Sequence, residues 1–208
     1  MCPFPSFSAH QLRVVLQGVS PLVWRRLLVP GDICLADLHL VLQTAFGWSD
    51  FYLYEFHFHG RTVGRDTGDA HAVRLADLAL HGGERFRYRY NFFAFWECDV
   101  RLESIQPLPT APYCAAGRNL APEEEAGGAW QYQRLQDHHR FPPTEALAVL
   151  AETIRSVQSR GDRAEIDLEE LEQAQQRVST YLMFRERKFE RQRVNAALGQ
   201  LPLAGRRA

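Results

Sequence analysis

Residues 12–60, LRVVLQGVSPLVWRRLLVPGDICLADLHLVLQTAFGWSDFYLYEFHFHG, carry the reading that decides the fold. Leu12, Val14 and Leu16 alternate with Arg13, Val15 and Gln17, the period of a strand with one buried face. Gly18 and Pro21 interrupt that pattern, and Val23 to Val29 reads as a partner strand turned by Pro30-Gly31. From Asp32 to Phe46 the period changes. Leu35, Leu38, Val41, Leu42 and Ala45 fall on one side of a helix, which Gly47-Trp48 stops. Tyr52 to Phe58 returns as a strand ended by Gly60, placing Tyr52, Tyr54, Phe56 and Phe58 on one face and Glu55, His57 and His59 on the other.

Further along, Arg61 to Asp69 reads as a Gly- and Asp-bearing loop, and Val73 to Leu78 as a short helical turn or strand edge. Arg85-Phe86-Arg87-Tyr88-Arg89-Tyr90 alternates basic and aromatic residues, and Glu97 to Glu103 alternates again, so 85–103 predicts a hairpin-like pair. Residues 107–128 read as loop, because Pro107, Pro109, Pro112, Pro122 and three glycines break any regular element. Helices are predicted over Trp130–Asp137 and Pro143–Ser159, and one long helix over Asp167–Ala197, with a disordered tail from Gly199. The fold class is α+β: a mixed or mostly antiparallel sheet, one helix packed on it, and helices at the C-terminal end. The domain reading is an α+β domain over 1–140, a helical extension over 141–198 and a tail over 199–208.

Composition sets bounds. At 208 residues with 46% hydrophobic content, a proper core forms without disulfide or metal staples. No apolar run approaches the roughly 20 residues of a membrane-spanning helix, and Met1-Cys2-Pro3-Phe4-Pro5 lacks the blocks of a signal peptide. Cys2, Cys34, Cys98 and Cys114 are scattered without a C-x-x-C pair, which points to reduced thiols and a cytoplasmic location. The net charge of −1 conceals an acidic stretch over 162–172 and a basic one over 185–193. Nucleophile elbow, P-loop, dinucleotide fingerprint and H-E-x-x-H are all absent from the sequence.

Several residues can carry chemistry or binding. Trp24 and Arg26 share a strand face and form an aromatic–cation platform for an anion or carboxylate, or else Trp24 packs while Arg25 and Arg26 are solvated or pair with acids such as Glu55. His57 and His59 at i and i+2, with Glu55, have metal-ligand spacing that a polar outer face also produces. Phe92, Phe93, Phe95 and Trp96 occupy a turn; packing into the core is the expectation, an exposed anchor for a partner the alternative. Arg185, Arg187, Lys188, Arg191 and Arg193 are nucleic-acid candidates on the last helix, although the interspersed Glu186 and Glu190 suit an ordinary exposed face.

The strand-strand-helix-strand opening resembles the plasmid pRiA4b ORF-3-like family, found in bacteria and archaea and often beside mobile elements. The resemblance rests on GVSPLVWRRLLVP (18–30), LADLHLVLQTAFGW (35–48) and Glu55-Phe56, continues through Phe86 to Glu103, and ends near Tyr132. It implies a fold and supplies no reaction. The family's pattern commonly reads H-L-H-E-F, then Y-D-F-G-D-x-W-x-H, then P-P-E-D-C-G-G. Here Tyr52 and Tyr54 stand at the two His positions, residues 90–98 have lost the first Asp, the Gly-Asp pair and the last His, and residues 122–128 keep Gly127-Gly128 without the Cys. Removing one member of a buried polar cluster strands the rest at roughly 1–3 kcal/mol each, whereas replacing all of them removes the penalty. The resulting expectation is a non-catalytic binding module with the family fold, no cofactor, and a protein partner or a second copy as ligand. Its candidate contact residues are Trp24, Arg26, Trp48, Tyr52, Tyr54, Glu55, Arg87, Arg89, Asn91 and Trp96. The alternatives are a DNA-binding accessory protein of a plasmid or transposon using the Arg85–Arg89 strand and the C-terminal helix, and a metal-dependent hydrolase or nuclease, which the lost polar positions argue against; His57 and His59 are the metal candidates.

Overall fold

The computed structural model describes residues 8–107, 111–161, 165–186 and 188–203. Seven strands form one sheet: β1 (Ser8–Leu16), β2 (Trp24–Pro30), β3 (Tyr54–Phe58), β4 (Arg61–Gly64), β5 (Arg85–Tyr90), β6 (Trp96–Pro107) and β7 (Tyr113–Arg118). Their order is β4-β3-β5-β6-β1-β2-β7, and every pairing is antiparallel. The fold is therefore α+β, as the sequence predicts. Helix α1 (Leu35–Phe46) lies between β2 and β3 in the chain; α2 (Ala129–His138), α3 (Thr144–Arg160), α4 (Leu168–Glu186) and α5 (Arg191–Gly199) follow the sheet.

Local chemistry fixes α1. The Cys34 sulfur accepts the Asp37 amide at its start. At its end Gly47 takes φ 77°, and the Gly47 and Trp48 amides return to the Thr44 and Gln43 carbonyls, closing the last turn in a left-handed cap. Leu35, Leu38, Val41, Leu42 and Ala45 are all buried, and with them His39 and Gln43. The inner sheet face opposes α1 with Leu12, Val14, Leu27, Phe56, Phe86, Tyr88, Trp96, Cys98 and Val100.

Two compact units are present: residues 1–132 with 189–208, and residues 133–188. In the first, α5 packs on β7 and α1. In the second, α3 packs with α4, burying Ala146 and Ala174, and His139 stacks on Phe184 at 4.7 Å.

Three expectations are corrected. The segments read as loop at 61–69 and 107–128 contain β4 and β7, the two edge strands; their short, Gly- and Ala-bearing sequences become strands through pairing with β3 and β2. The long helix expected over 167–197 is two helices, because residues 188–190 leave helical geometry and Phe189 packs on the Arg25 guanidinium, ring centre to carbon 4.0 Å. The tail expected to be disordered from Gly199 instead contributes Leu203, which is buried, and Leu201, which packs on the core; residues 204–208 lie outside the described set.

Candidate functional site

Strand alternation distributes the candidate residues over two faces of the sheet. On the outer face Trp24 is half-buried, with the Arg13 and Arg26 guanidiniums 5.3 and 5.7 Å from its ring. Arg26 makes a two-pronged pair with Glu103, at 2.6 and 2.9 Å, and not with Glu55. That pairing holds the Glu103 carboxyl below its ordinary range. Arg89 donates to Glu97 at 2.8 Å and lies 3.5 Å from Glu55; Arg87 is 3.8 Å from Glu97. These residues form a lattice of paired charge on the outer face.

His57 belongs to that lattice. Its ring contacts the Glu55 carboxylate on one nitrogen and the Thr62 hydroxyl, at 3.0 Å, on the other. His59 is not on the strand: it has φ 46° in the β3–β4 turn, so the i, i+2 strand spacing with His57 does not form. Among the described residues no group of three or more His, Cys, Asp or Glu side chains is arranged to hold a metal ion.

Arg25, one residue from Arg26, points the other way and is 1% exposed. Among the described residues it has no carboxylate partner. Its guanidinium donates to the backbone carbonyls of Ala45 (2.9 Å), Trp24 (2.8 Å), Arg118 (3.1 Å) and Asn119 (2.9 Å), and the Phe46 and Phe189 rings lie against it. The Ala45 carbonyl belongs to the C-terminal turn of α1, the negative end of the helix dipole. Burial lowers the Arg25 pKa to about 10, so it stays charged at neutral pH. The expectation that both arginines are solvated or paired with acids fails for Arg25, because backbone oxygens replace the carboxylate.

The inner side holds a polar cluster that the sequence reading missed. The buried His39 ring contacts the Tyr88 hydroxyl through Nδ1 (2.8 Å) and Asp50 through Nε2 (2.6 Å), and stacks on Tyr54 with centroids 3.6 Å apart. Gln43 donates to the same Tyr88 hydroxyl at 2.7 Å and accepts from the Asp50 amide at 3.0 Å. Arg65 reaches Asp50 from solvent at 3.1 Å. Burial outweighs the Asp50 contact and pushes the His39 pKa down to about 4, and burial raises the Tyr54 and Tyr88 hydroxyls.

Beside it, the buried Glu124 carboxylate accepts from the Ser49 amide and hydroxyl and from the Tyr90 hydroxyl. Its backbone carbonyl accepts from Asn91 (2.9 Å) and the Trp96 indole (3.0 Å). Trp48 donates to the Pro122 carbonyl and stacks between Phe46 and Tyr90. Tyr54, Asn91, Trp48 and Trp96 are thus interior supports, not contact groups. His39 and Gln43, four apart and so on one side of α1, were the available signal; nothing in the run Glu123-Glu124-Glu125 marks the middle residue.

This cluster underlies a rim of exposed rings. Asn91 (φ 53°) accepts the Phe93 and Ala94 amides on its side-chain oxygen and the Phe95 amide on its backbone carbonyl, while its side-chain amide is tied to Glu124. The turn so fixed holds Phe92, Phe93 and Phe95 outward, at 42%, 94% and 52% exposure, with only Trp96 buried. The expectation that this aromatic run fills the core is therefore corrected for three of its four rings. Phe51, also exposed, meets Tyr52 edge-on at 5.1 Å, and Tyr52 meets Phe93 at 6.5 Å, joining the two loops into one patch.

The basic segment of the C-terminal region does not form one helix face. Arg185 ends α4 with its guanidinium 6.0 Å from the Tyr181 ring, and Lys188 follows that helix. Arg191 and Arg193 start α5 in the other compact unit, where Arg191 donates to the Ala115 carbonyl. Arg187 lies outside the described residues.

A seven-stranded antiparallel sheet with one helix on its inner face defines an α+β protein, and its fold is similar to that of the "Protein of Unknown Function MM3350" from Methanosarcina mazei Go1. Its crystal structure superimposes with a TM-score of 0.61 and 26% identity, over 78% of this chain and 96% of that one. The chain belongs to the plasmid pRiA4b ORF-3-like protein family, whose model matches residues 8–181, past the Tyr132 limit of the resemblance read from sequence. "Uncharacterized protein y4hQ" of Sinorhizobium fredii (strain NBRC 101917 / NGR234) is 35% identical over 138 residues, covering 62% of this chain and 71% of that protein. Among the described residues no helix is long and apolar enough to cross a membrane.

Proposed function

We propose that this protein is a non-catalytic, cytoplasmic binding module of its mobile-element-associated family, and that its ligand is a protein held through the aromatic rim. The carrying observation is the Asn91 turn. A non-glycine turn with positive φ at Asn91 and Phe95, tied to a buried Glu124, keeps Phe93 almost wholly in solvent. Backbone in that region costs of order 1–3 kcal/mol per strained residue and persists where its surroundings enforce it. Rigid exposed aromatics are the side chains that dominate protein interfaces.

The titratable groups support binding over acid–base chemistry. Both His39 nitrogens are engaged and the ring is buried, and Glu124 is occupied by Ser49 and Tyr90. The surface fits a second copy of the chain. Asp50 and Arg65, partly exposed beside the rings, are an acid and a base that exchange partners across a two-fold contact. Sedimentation equilibrium of the full chain tests this reading: the wild type is expected to self-associate with rising concentration, and the Phe51→Ala/Phe93→Ala variant to remain monomeric with an unchanged melting curve. A wild type that stays monomeric throughout, or a variant that associates equally well, overturns it.

A further inference from the structure

The outer sheet face contains a feature that the aromatic rim does not use. Arg85 lies directly opposite Arg101, Arg101 opposite Arg13, and Arg13 opposite Arg26. Four arginines thus stand side by side on four adjacent strands, β5, β6, β1 and β2. At about 4.8 Å per strand the row is roughly 14 Å long. Like charges directly opposite in a sheet are unfavourable, and here three such pairs follow one another.

Ion pairs form only at the ends, although the Glu103 carboxylate also feels Arg13. Asp99 holds Arg85 at 2.9 Å and Glu103 holds Arg26. Arg101 and Arg13 make no ion pair among the described residues. Arg101 is exposed, and the Arg13 Nε is buried without a hydrogen-bond partner. A buried donor left unmade costs free energy, which a phosphate that draws the Arg13 side chain outward would recover. At the Arg85 end the face opens into a depression of about 570 Å³ whose lining includes Arg61, Arg87 and His57, with Glu97 and Asp99 among them. At the Arg26 end stands the Trp24 ring. All this positive charge sits on a chain whose net charge is −1.

We propose that this arginine row is a binding track for a single strand of nucleic acid, with Arg101 and Arg13 taking backbone phosphates and Trp24 taking a base. Guanidiniums recognise phosphate oxygens in a two-pronged fork. A cationic track with an aromatic ring beside it is the combination that unpaired nucleic acid requires. The ring distinguishes this ligand from a simple polyanion, to which Trp24 would contribute nothing.

The test uses the full chain and a fluorescently labelled, mixed-sequence single-stranded DNA, followed by anisotropy across a salt series and by quenching of tryptophan emission. Wild-type binding is expected to weaken steeply with salt. The Arg13→Gln/Arg101→Gln variant is expected to bind about tenfold or more weakly at low salt, with a log–log salt slope shallower by about 1.4, the value for two lost single-strand phosphate contacts. Arg155→Gln, which removes one exposed charge paired with Glu152 in the other compact unit, is expected to bind as the wild type does. Should the double variant fail to fold, loss of the quench in Trp24→Phe still reads the track. No salt-sensitive binding by the wild type, equal losses in the Arg155 control, tighter binding of duplex than of single strand, or displacement by inorganic polyphosphate at equal phosphate concentration would each overturn the assignment.

Discussion

Arg25 and Arg26 are consecutive on one strand and meet opposite surroundings. Arg25 is enclosed, with four carbonyls and two rings around a charge that no acid balances. Arg26 stands outside, in a row of its own kind, balanced by Glu103. The inner charge is complete within the fold, so its role is cohesion. The outer row is incomplete: Arg101 faces solvent and Arg13 is half-buried, and neither makes an ion pair among the described residues. The difference teaches that the number of arginines on a strand says little; which donors remain unanswered says where a ligand belongs.

The largest expected effect breaks the inner side of this comparison. Arg25→Met removes the donors from the buried Ala45 carbonyl and three part-buried ones and should cost about 3–5 kcal/mol in all, read as a lower midpoint in urea. The His39 cluster gives a second, smaller break. Its folded pKa of about 4 lies below the ordinary 6.5, so the unfolded chain binds the extra proton first. The His39 contribution is therefore complete above about pH 6.5 and declines as pH falls toward 4, by about 3 kcal/mol. His39→Gln should flatten the stability–pH curve in that window; an unchanged curve would place the titration elsewhere. The smallest effect sharpens the outer side: Arg101→Ser should leave stability unchanged or raise it by a few tenths of a kcal/mol, because it relieves two opposed arginine pairs. Added salt should narrow that gain by screening the wild-type repulsion.

How far the sequence could be read follows the same division between inside and outside. The alternation in β1, β2, β3, β5 and β6 and the spacing in α1 are written in residues that face the core, and these elements appear where expected. The two strands that were not anticipated, β4 and β7, are the sheet's edges, held by backbone pairing that leaves little trace in side-chain pattern. Strand parity sends the candidates Trp24, Arg26, Glu55, Arg87 and Arg89 to one face and Tyr54, Asn91 and Trp96 to the interior. The arginine row required register between strands distant in sequence, which no local pattern encodes. His39, Asp50 and Glu124 come together only in three dimensions; the apparent loss of the family's polar pattern hid a buried polar cluster built from other positions.

The Arg25 enclosure has a consequence for biosynthesis. Phe189, one wall of the cage, is made long after β2 has left the ribosome, and the match to the family stops short of it at residue 181. Until the last helix emerges, the guanidinium has one open side, so the nascent sheet should stay soft and vulnerable to proteases. A polypeptide ending at residue 181 is expected to behave as such an arrested intermediate.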